Sequence, residues 1–171
     1  NAAVNAALIA GASLDATTVA TYPTASELLG IVARGSASVY AATAGLPNPF
    51  ARNMVVSTGQ WSNIMSLNDS GRPIYTASQP QNAGGAVGPQ SLRGNVAGLD
   101  LYVSRSLSAL TYTTGDGSMF VINPEAYTWY ESPRLQLRSD ITATGQVSVA
   151  YYGYGALATK IANGSVHFNK N

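Results

Sequence analysis

The sequence predicts an α+β domain, and three observations carry that prediction. Helical spacing is strongest early in the chain, alternating strand patterns gather late, and no segment repeats another. A parallel βαβ array needs strands and helices to alternate along the chain, so this segregation argues against one.

The elements follow in order. The chain opens on Asn1 rather than Met, which reads as a fragment or a processed product. Ala2, Ala3, Ala6, Ala7 and Ala10 favour helix, with Val4, Leu8 and Ala12 along one face and a stop near Gly11, so residues 1–14 read as the last turns of a helix. No basic residue precedes the short apolar run, as a secretion signal would require. The clearest helix spans 24–44: Thr24-Ala-Ser-Glu27 is a capping box, Leu28, Ile31, Val32, Gly35, Val39 and Ala42 recur at helical spacing, and Gly45 and Pro47 stop it.

Asn53–Ser57 reads as a short buried strand, after which Ser57 caps a second helix with Trp61, Ile64, Met65 and Asn68 on one side. Asn68–Pro73 is a turn. Residues 77–91, with much Gly, Pro and Gln and no periodicity, form a long loop. Leu99, Leu101 and Val103 alternate with Asp100, Tyr102 and Ser104 as a strand does. A turn at Gly115-Asp116-Gly117 leads to a strand at Met119–Ile122. Asn123-Pro124-Glu125 then starts a helix that carries Tyr127, Trp129 and Tyr130 and ends before Pro133. Leu135 and Leu137 alternate with Gln136 and Arg138, a long strand covers about 146–154, and Asn163-Gly164 joins Ile161-Ala162 to Val166–Phe168 as a two-residue hairpin turn.

Composition narrows the function classes. The 171 residues amount to 17.7 kDa, enough for one compact domain with a core of its own. Cysteine is absent, which excludes disulfides, thiolate metal sites and thiol catalysis. Nine Lys and Arg against eight Asp and Glu give net charge +1, against an electrostatically driven nucleic-acid or membrane binder. No run reaches the ~18 apolar residues of a membrane helix. Only 10% of residues are charged, where about 25% is usual. A neutral polar surface costs little to dehydrate, and it suits either a secreted domain or a subunit covered by neighbours.

The candidates for chemistry are weak. Gly153-Tyr-Gly155-Ala-Leu-Ala158 matches a dinucleotide fingerprint, but thirteen residues remain after it and none is acidic, so it reads as small residues in or after a strand. His167 is the only histidine; three residues past a turn and near a chain end, it reads as an exposed strand residue rather than a triad member, and with one His and no Cys a zinc site is not expected. Glu125 and Glu131 face different directions on the expected helix, and Asp116 between two glycines reads as turn chemistry. Asn68-Asp-Ser70 and Asn163-Gly-Ser165 match the glycosylation triplet, which is common by chance. Trp129, Tyr152 and Tyr154 stand out as aromatics for an interface or for stacking on sugars. Neither an active site nor a cofactor is expected.

One stretch is more telling. Trp61-Ser-Asn-Ile-Met-Ser-Leu-Asn-Asp-Ser-Gly-Arg-Pro-Ile-Tyr75 resembles the segment of tailed-bacteriophage major capsid proteins in which a helix ends in an acidic-Ser/Thr-Gly-Arg-Pro turn. Gly94–Ser104 is similar to that family's Gly-initiated strand, with Ala97-Gly98 where the family has a proline. Thr114–Ser118 resembles its Gly-Asp-x-Ser turn, and Tyr151–Phe168 its closing strand, Ala-rich crossing and last hairpin.

The resemblance implies the Hong Kong 97-type capsid fold, a mixed or antiparallel sheet flanked by helices, with the amino-terminal arm and extended loop absent. Residues 1–14 would be the end of the spine helix, 15–144 the axial domain and 145–171 the return into the peripheral domain. It implies a shell subunit forming pentamers and hexamers round double-stranded DNA, working with scaffold and portal proteins, touching DNA without sequence preference and no membrane, and residing in the virion after assembly in host cytoplasm. Gln79, Gln81, Asn82, Gly84, Gly85 and Gln90 would crowd round the rotational axis, and Trp129, Tyr152 and Tyr154 would meet neighbouring subunits. An encapsulin-type compartment and a secreted carbohydrate-binding module are the alternatives. Some family members join subunits by a Lys–Asn isopeptide bond that a Glu promotes; no Glu follows Glu131 and no acidic residue follows Asp140, so assembled particles are expected to run without covalent ladders on denaturing gels.

Overall fold

A computed structural model of the chain describes residues 12–14, 22–77, 92–105, 107, 119–133, 135–136, 140–141, 147–148 and 151–168. The turn at 115–117, residues 1–11 of the expected 1–14 helix and residues 78–91 of the expected 77–91 loop lie outside them. The helix expectation is corrected at Ser13–Leu14, which are strand paired with Val166 and His167, and the loop expectation at Ala77, which ends a strand paired with Gly94. The described elements are β1 (Ser13–Leu14), α1 (Ala25–Ala42), β2 (Asn53–Val56), α2 (Thr58–Ser66), β3 (Asn68–Asp69), β4 (Arg72–Pro73), β5 (Tyr75–Ala77), β6 (Leu92–Val96), β7 (Leu99–Val103), β8 (Met119–Ile122), a 3-10 turn (Pro124–Ala126), β9 (Tyr127–Glu131), β10 (Leu135–Gln136), β11 (Asp140–Ile141), β12 (Val147–Ser148), β13 (Tyr151–Tyr152), β14 (Gly155–Thr159) and β15 (Ser165–Phe168). The class is α+β, as the sequence predicts.

Helix α1 begins as its capping box dictates. The Glu27 carboxylate accepts the Thr24 N–H at 2.7 Å and the Thr24 hydroxyl at 2.9 Å. Both bonds favour the ionised form, the backbone bond most, and hold that carboxyl below its usual range. The cap is therefore strongest above the ordinary carboxylate pKa and is lost as pH falls through the lowered one. At the other end the Thr43 N–H donates to the Val39 carbonyl. The buried stripe Leu28, Ile31, Val32, Gly35 and Val39 lies against the sheet. Gly35 permits the close approach: a Cβ there would stand 3.0 Å from Phe168 Cε2 and from Val121 Cβ.

The sheet has seven strands in the order β1-β15-β8-β2-β7-β6-β5. β1 is parallel to β15 and β2 to β7; the other neighbours are antiparallel. β8 and β15 are buried at every position, so both faces of the sheet are covered there. Period-2 alternation sends Met119, Val121, Val166 and Phe168, with Met54, Val56 and Leu101, into one apolar cluster that Ile64 joins from α2 and Leu28, Ile31, Val32 and Val39 from α1. Phe120, Ile122 and Leu107 form a second cluster on the opposite face, with Ala12, Val55 and Tyr127 against it.

Two tight turns share one chemistry. Ser70 and Gly71 (φ 50° and 82°) join β3 to β4, and Ala97 and Gly98 (φ 48° and 89°) join β6 to β7. Two consecutive positive φ values match the right-handed twist of a hairpin, and Asn-Gly is the preferred pair for them. The β6–β7 hairpin is absent from the sequence reading because alanine hides the turn. Ala97→Asn is accordingly expected to raise the melting temperature by about 1–4 °C, from a gain of about 0.5–1 kcal/mol; an unchanged or lower value in a thermal melt contradicts the turn geometry.

Several expectations need correction. Residues 127–131 form strand β9, not a helix: after one 3-10 turn capped by Asn123, the run Tyr-Thr-Trp-Tyr-Glu favours extended backbone and pairs with β14. On α2 the buried residues are Gln60 and Ile64; Met65 is exposed and Asn68 lies beyond the cap in β3, because one helical turn from Gln60 reaches Ile64 and not Met65. Of the expected 146–154 strand, Val147–Ser148 pair with β11 and Tyr151–Tyr152 with β10 in nearly continuous antiparallel register, Gly153 and Tyr154 lie past the strand, and residues 146, 149 and 150 lie outside the described residues. Asn163 does turn, at φ 61°, but Ile161-Ala162 does not pair with β15, which joins β8 and β1 instead. His167 is buried, because β15 is an inner strand.

Candidate self-association surface

Among the described residues, β9 and β14 form a separate two-stranded antiparallel ribbon, Tyr127↔Thr159 through Glu131↔Gly155. It is rooted at Ala126, whose carbonyl accepts the Lys160 N–H at 2.8 Å. Its far end is tied by Ser132 and Tyr154: the Ser132 N–H donates to the Tyr154 carbonyl, and the Tyr154 N–H donates to Ser132 Oγ, both at 2.8 Å. At the inner end the Tyr127 and Ser165 hydroxyls lie 2.5 Å apart, joining ribbon to sheet. Burial pushes the Tyr127 phenol above its usual range, with the Ser165 bond opposing, so it stays neutral through physiological pH.

Most of the ribbon faces water on both sides. Leu157 is half-buried while Gly155, Ala156, Ala158 and Thr159 are exposed, as are Trp129, Tyr130 and Glu131. An isolated two-stranded ribbon is marginally stable in water and gains from a third strand or a packed face. The register places Trp129, Leu157 and Gly155 on one side, and Tyr130 with Tyr154, just past the ladder, on the other. The Trp129 ring fills the space above Gly155, where a Cβ would come within 2.6 Å of Trp129 Cη2. Even so packed, Trp129 is 49% exposed, Tyr130 60% and Tyr154 72%. No charged side chain stands on the Tyr130 face of the ladder, which also carries Thr128, Ala156 and Ala158, so covering that face desolvates no ion, whereas the Trp129 face ends on Glu131 opposite Gly155.

Of the residues singled out by sequence, Trp129 and Tyr154 belong to this ribbon but on opposite faces, while Tyr152 contributes backbone to β13, opposite Leu135. Gln79, Gln81, Asn82, Gly84, Gly85 and Gln90 lie outside the described residues. The pairing of Ala77 with Gly94 brings the two ends of their segment to the outer edge of the seven-stranded sheet. Sequence reasoning placed Tyr130 on a helix, because the alternation Tyr-Thr-Trp-Tyr was read at the wrong period, and so missed its strand face. It also missed an exposed stacked pair, Tyr40 and Phe50, with centroids 5.0 Å apart. Phe50 follows Pro47-Asn-Pro49, a turn that carries it outward.

Among the described residues no three His, Asp or Glu side chains gather as a metal set, and no helix is long and apolar enough to cross a membrane. No family model matches the chain, and no curated protein matches it significantly. A solved chain from Mycobacterium phage Che8 is similar in structure, with a TM-score of 0.63 and 16% identity over 95% of this chain and 55% of that one. At that identity the likeness shows a shared fold, and the present chain spans about half the length of its neighbour.

Proposed function

We propose that this chain is a structural subunit of a tailed-phage shell with the Hong Kong 97-type fold, which works by packing against copies of itself and carries no active site. The observation that carries the reading is the fold shared with a phage chain over nearly the whole of this sequence. The motifs at 61–75 and 94–104 support the capsid type, and the exposed aromatics of the ribbon supply a surface that neighbours could cover, cheaply on the uncharged Tyr130 face. In this reading pentamers and hexamers enclose double-stranded DNA, the neutral 77–91 segment lies near the rotational axes, and scaffold and portal proteins are partners within the host cytoplasm and the virion.

Trp129→Ser combined with Tyr130→Ser tests the surface. Truncating a desolvated interface aromatic costs about 2 kcal/mol or more, so the concentration at which particles form should rise about thirtyfold or further. Light scattering of both proteins against concentration measures it, with circular dichroism confirming an unchanged fold. An unchanged threshold removes the ribbon from the contact. The nucleic-acid content of the particles separates a DNA shell from an enzyme-filled compartment, and glycan binding by a permanent monomer would replace both with a carbohydrate-binding module.

A further inference from the structure

The only histidine of the chain sits where a charge is poorly tolerated. His167 is 5% exposed in β15, and its ring stacks on Phe120 with centroids 4.3 Å apart and planes 8° from parallel. Its Nε2 has no hydrogen-bond partner. Phe120 belongs to the second apolar cluster, together with Leu107, Ile122 and the flanking Ala12, Val55 and Tyr127. No charged side chain among the described residues faces the ring from the packed elements: β8 is Met-Phe-Val-Ile, β1 is Ser-Leu, and β2 is Asn-Met-Val-Val. β9 offers only the neutral Tyr127 phenol, its Glu131 being exposed at the far end, and Arg105, two residues before Leu107, is also exposed. Burial accordingly lowers the His167 pKa below its ordinary value.

Among the described residues, one neighbour of β15 makes fewer pairs than the other. On one side β8 pairs with β15 over four residues and is itself an inner strand. On the other, β1 pairs over two described residues, Ser13 with Val166 and Leu14 with His167, and no described strand lies beyond it in the sheet. Ala12, next to β1, packs on the same cluster as Phe120. Water can therefore reach the imidazole at least cost by lifting residues 12–14.

We infer that His167 is an acid-sensitive latch: its neutral ring lets residues 12–14 close over the second cluster, and its protonation releases them from β15 while the rest of the sheet stays paired. This goes beyond the shell reading and does not depend on it. The sign follows from linkage. A histidine whose folded pKa is depressed is neutral in the closed state and protonates first in the open one. The closed state is thus fully favoured above about pH 6.5, and the opening constant rises at most tenfold per pH unit below that until the folded pKa is reached.

The test needs no assignment effort, because one imidazole signal belongs to one residue. Proton NMR of the ring should titrate with a midpoint below 6.5; a midpoint at or above it overturns the latch. Hydrogen exchange, corrected for the intrinsic pH effect, should speed up severalfold at Leu14 and its partner amides on β15 between pH 8 and pH 5, and not at the β2–β7 pairing. Equal acceleration at both places, or at neither, overturns it as well. His167→Phe keeps the stack without the charge and should exchange at Leu14 independently of pH. Should that variant not fold, the titration and the exchange comparison on the native chain decide the matter alone.

Discussion

Asn123→Ala is expected to lower stability by roughly 2–4 kcal/mol and the melting temperature by about 5–15 °C. Asn123 is fully buried at the end of β8 and joins three segments. Its Nδ2 donates to the Asn48 carbonyl at 2.8 Å, its Oδ1 accepts the Glu125 N–H at 3.1 Å, and its own N–H donates to the Gly164 carbonyl at 3.0 Å. Asn48 is bound in turn, through Nδ2, to Glu125 Oε1 at 2.8 Å. Alanine keeps only the backbone bond and leaves the Asn48 carbonyl and the Glu125 N–H short of partners at a part-buried junction, where each costs about 1–2 kcal/mol. Asn123→Asp should do no better at neutral pH, since it buries a charge and gives up the donor. Urea unfolding with an unchanged slope is the check, and a loss below 1 kcal/mol would show that this junction is not held as described.

Gly164→Ala should destabilise about as much, by roughly 2–3 kcal/mol, for a different reason. The glycine is buried, and an added Cβ would overlap Ala126 Cβ. Ala126 is itself fully buried and holds the root of the ribbon through its carbonyl, so it has little room to yield. The remedy is specific: Ala126→Gly in the same chain removes the opposing methyl and should restore more than half of the loss, short of the ~1 kcal/mol that a glycine costs in ordered backbone. Two losses that simply add would show that the two positions do not press on one another.

How far the sequence foretold these features depended on how local their causes are. Helix α1 was legible because its cap, its stripe and its stop all lie within its own residues. Ser57 and Asn123 were legible as caps on the same ground, although the wider role of Asn123, reaching Asn48 across 75 positions, was not. Strand β9 was misread because Asn-Pro-Glu starts a helix equally well for one turn or for three, and only pairing with β14 decides between them. His167 was misread because burial depends on which strands flank β15, and β8 lies more than forty residues earlier. Ala97 shows the opposite limit, a turn made by an alanine that carries no turn signal. Of the candidate surface, Trp129 and Tyr154 were legible from residue type alone, while their placement on opposite faces depends on register.

The claim that organises all of this is that the chain acts by packing against copies of itself. Electron microscopy of the protein, purified near neutral pH and at rising concentration, tests that claim most directly. Closed icosahedral particles, with subunits clustered in fives and sixes, are the predicted result. A protein that stays a dispersed monomer at every concentration, with Trp129, Tyr130 and Tyr154 still open to solvent, would contradict it.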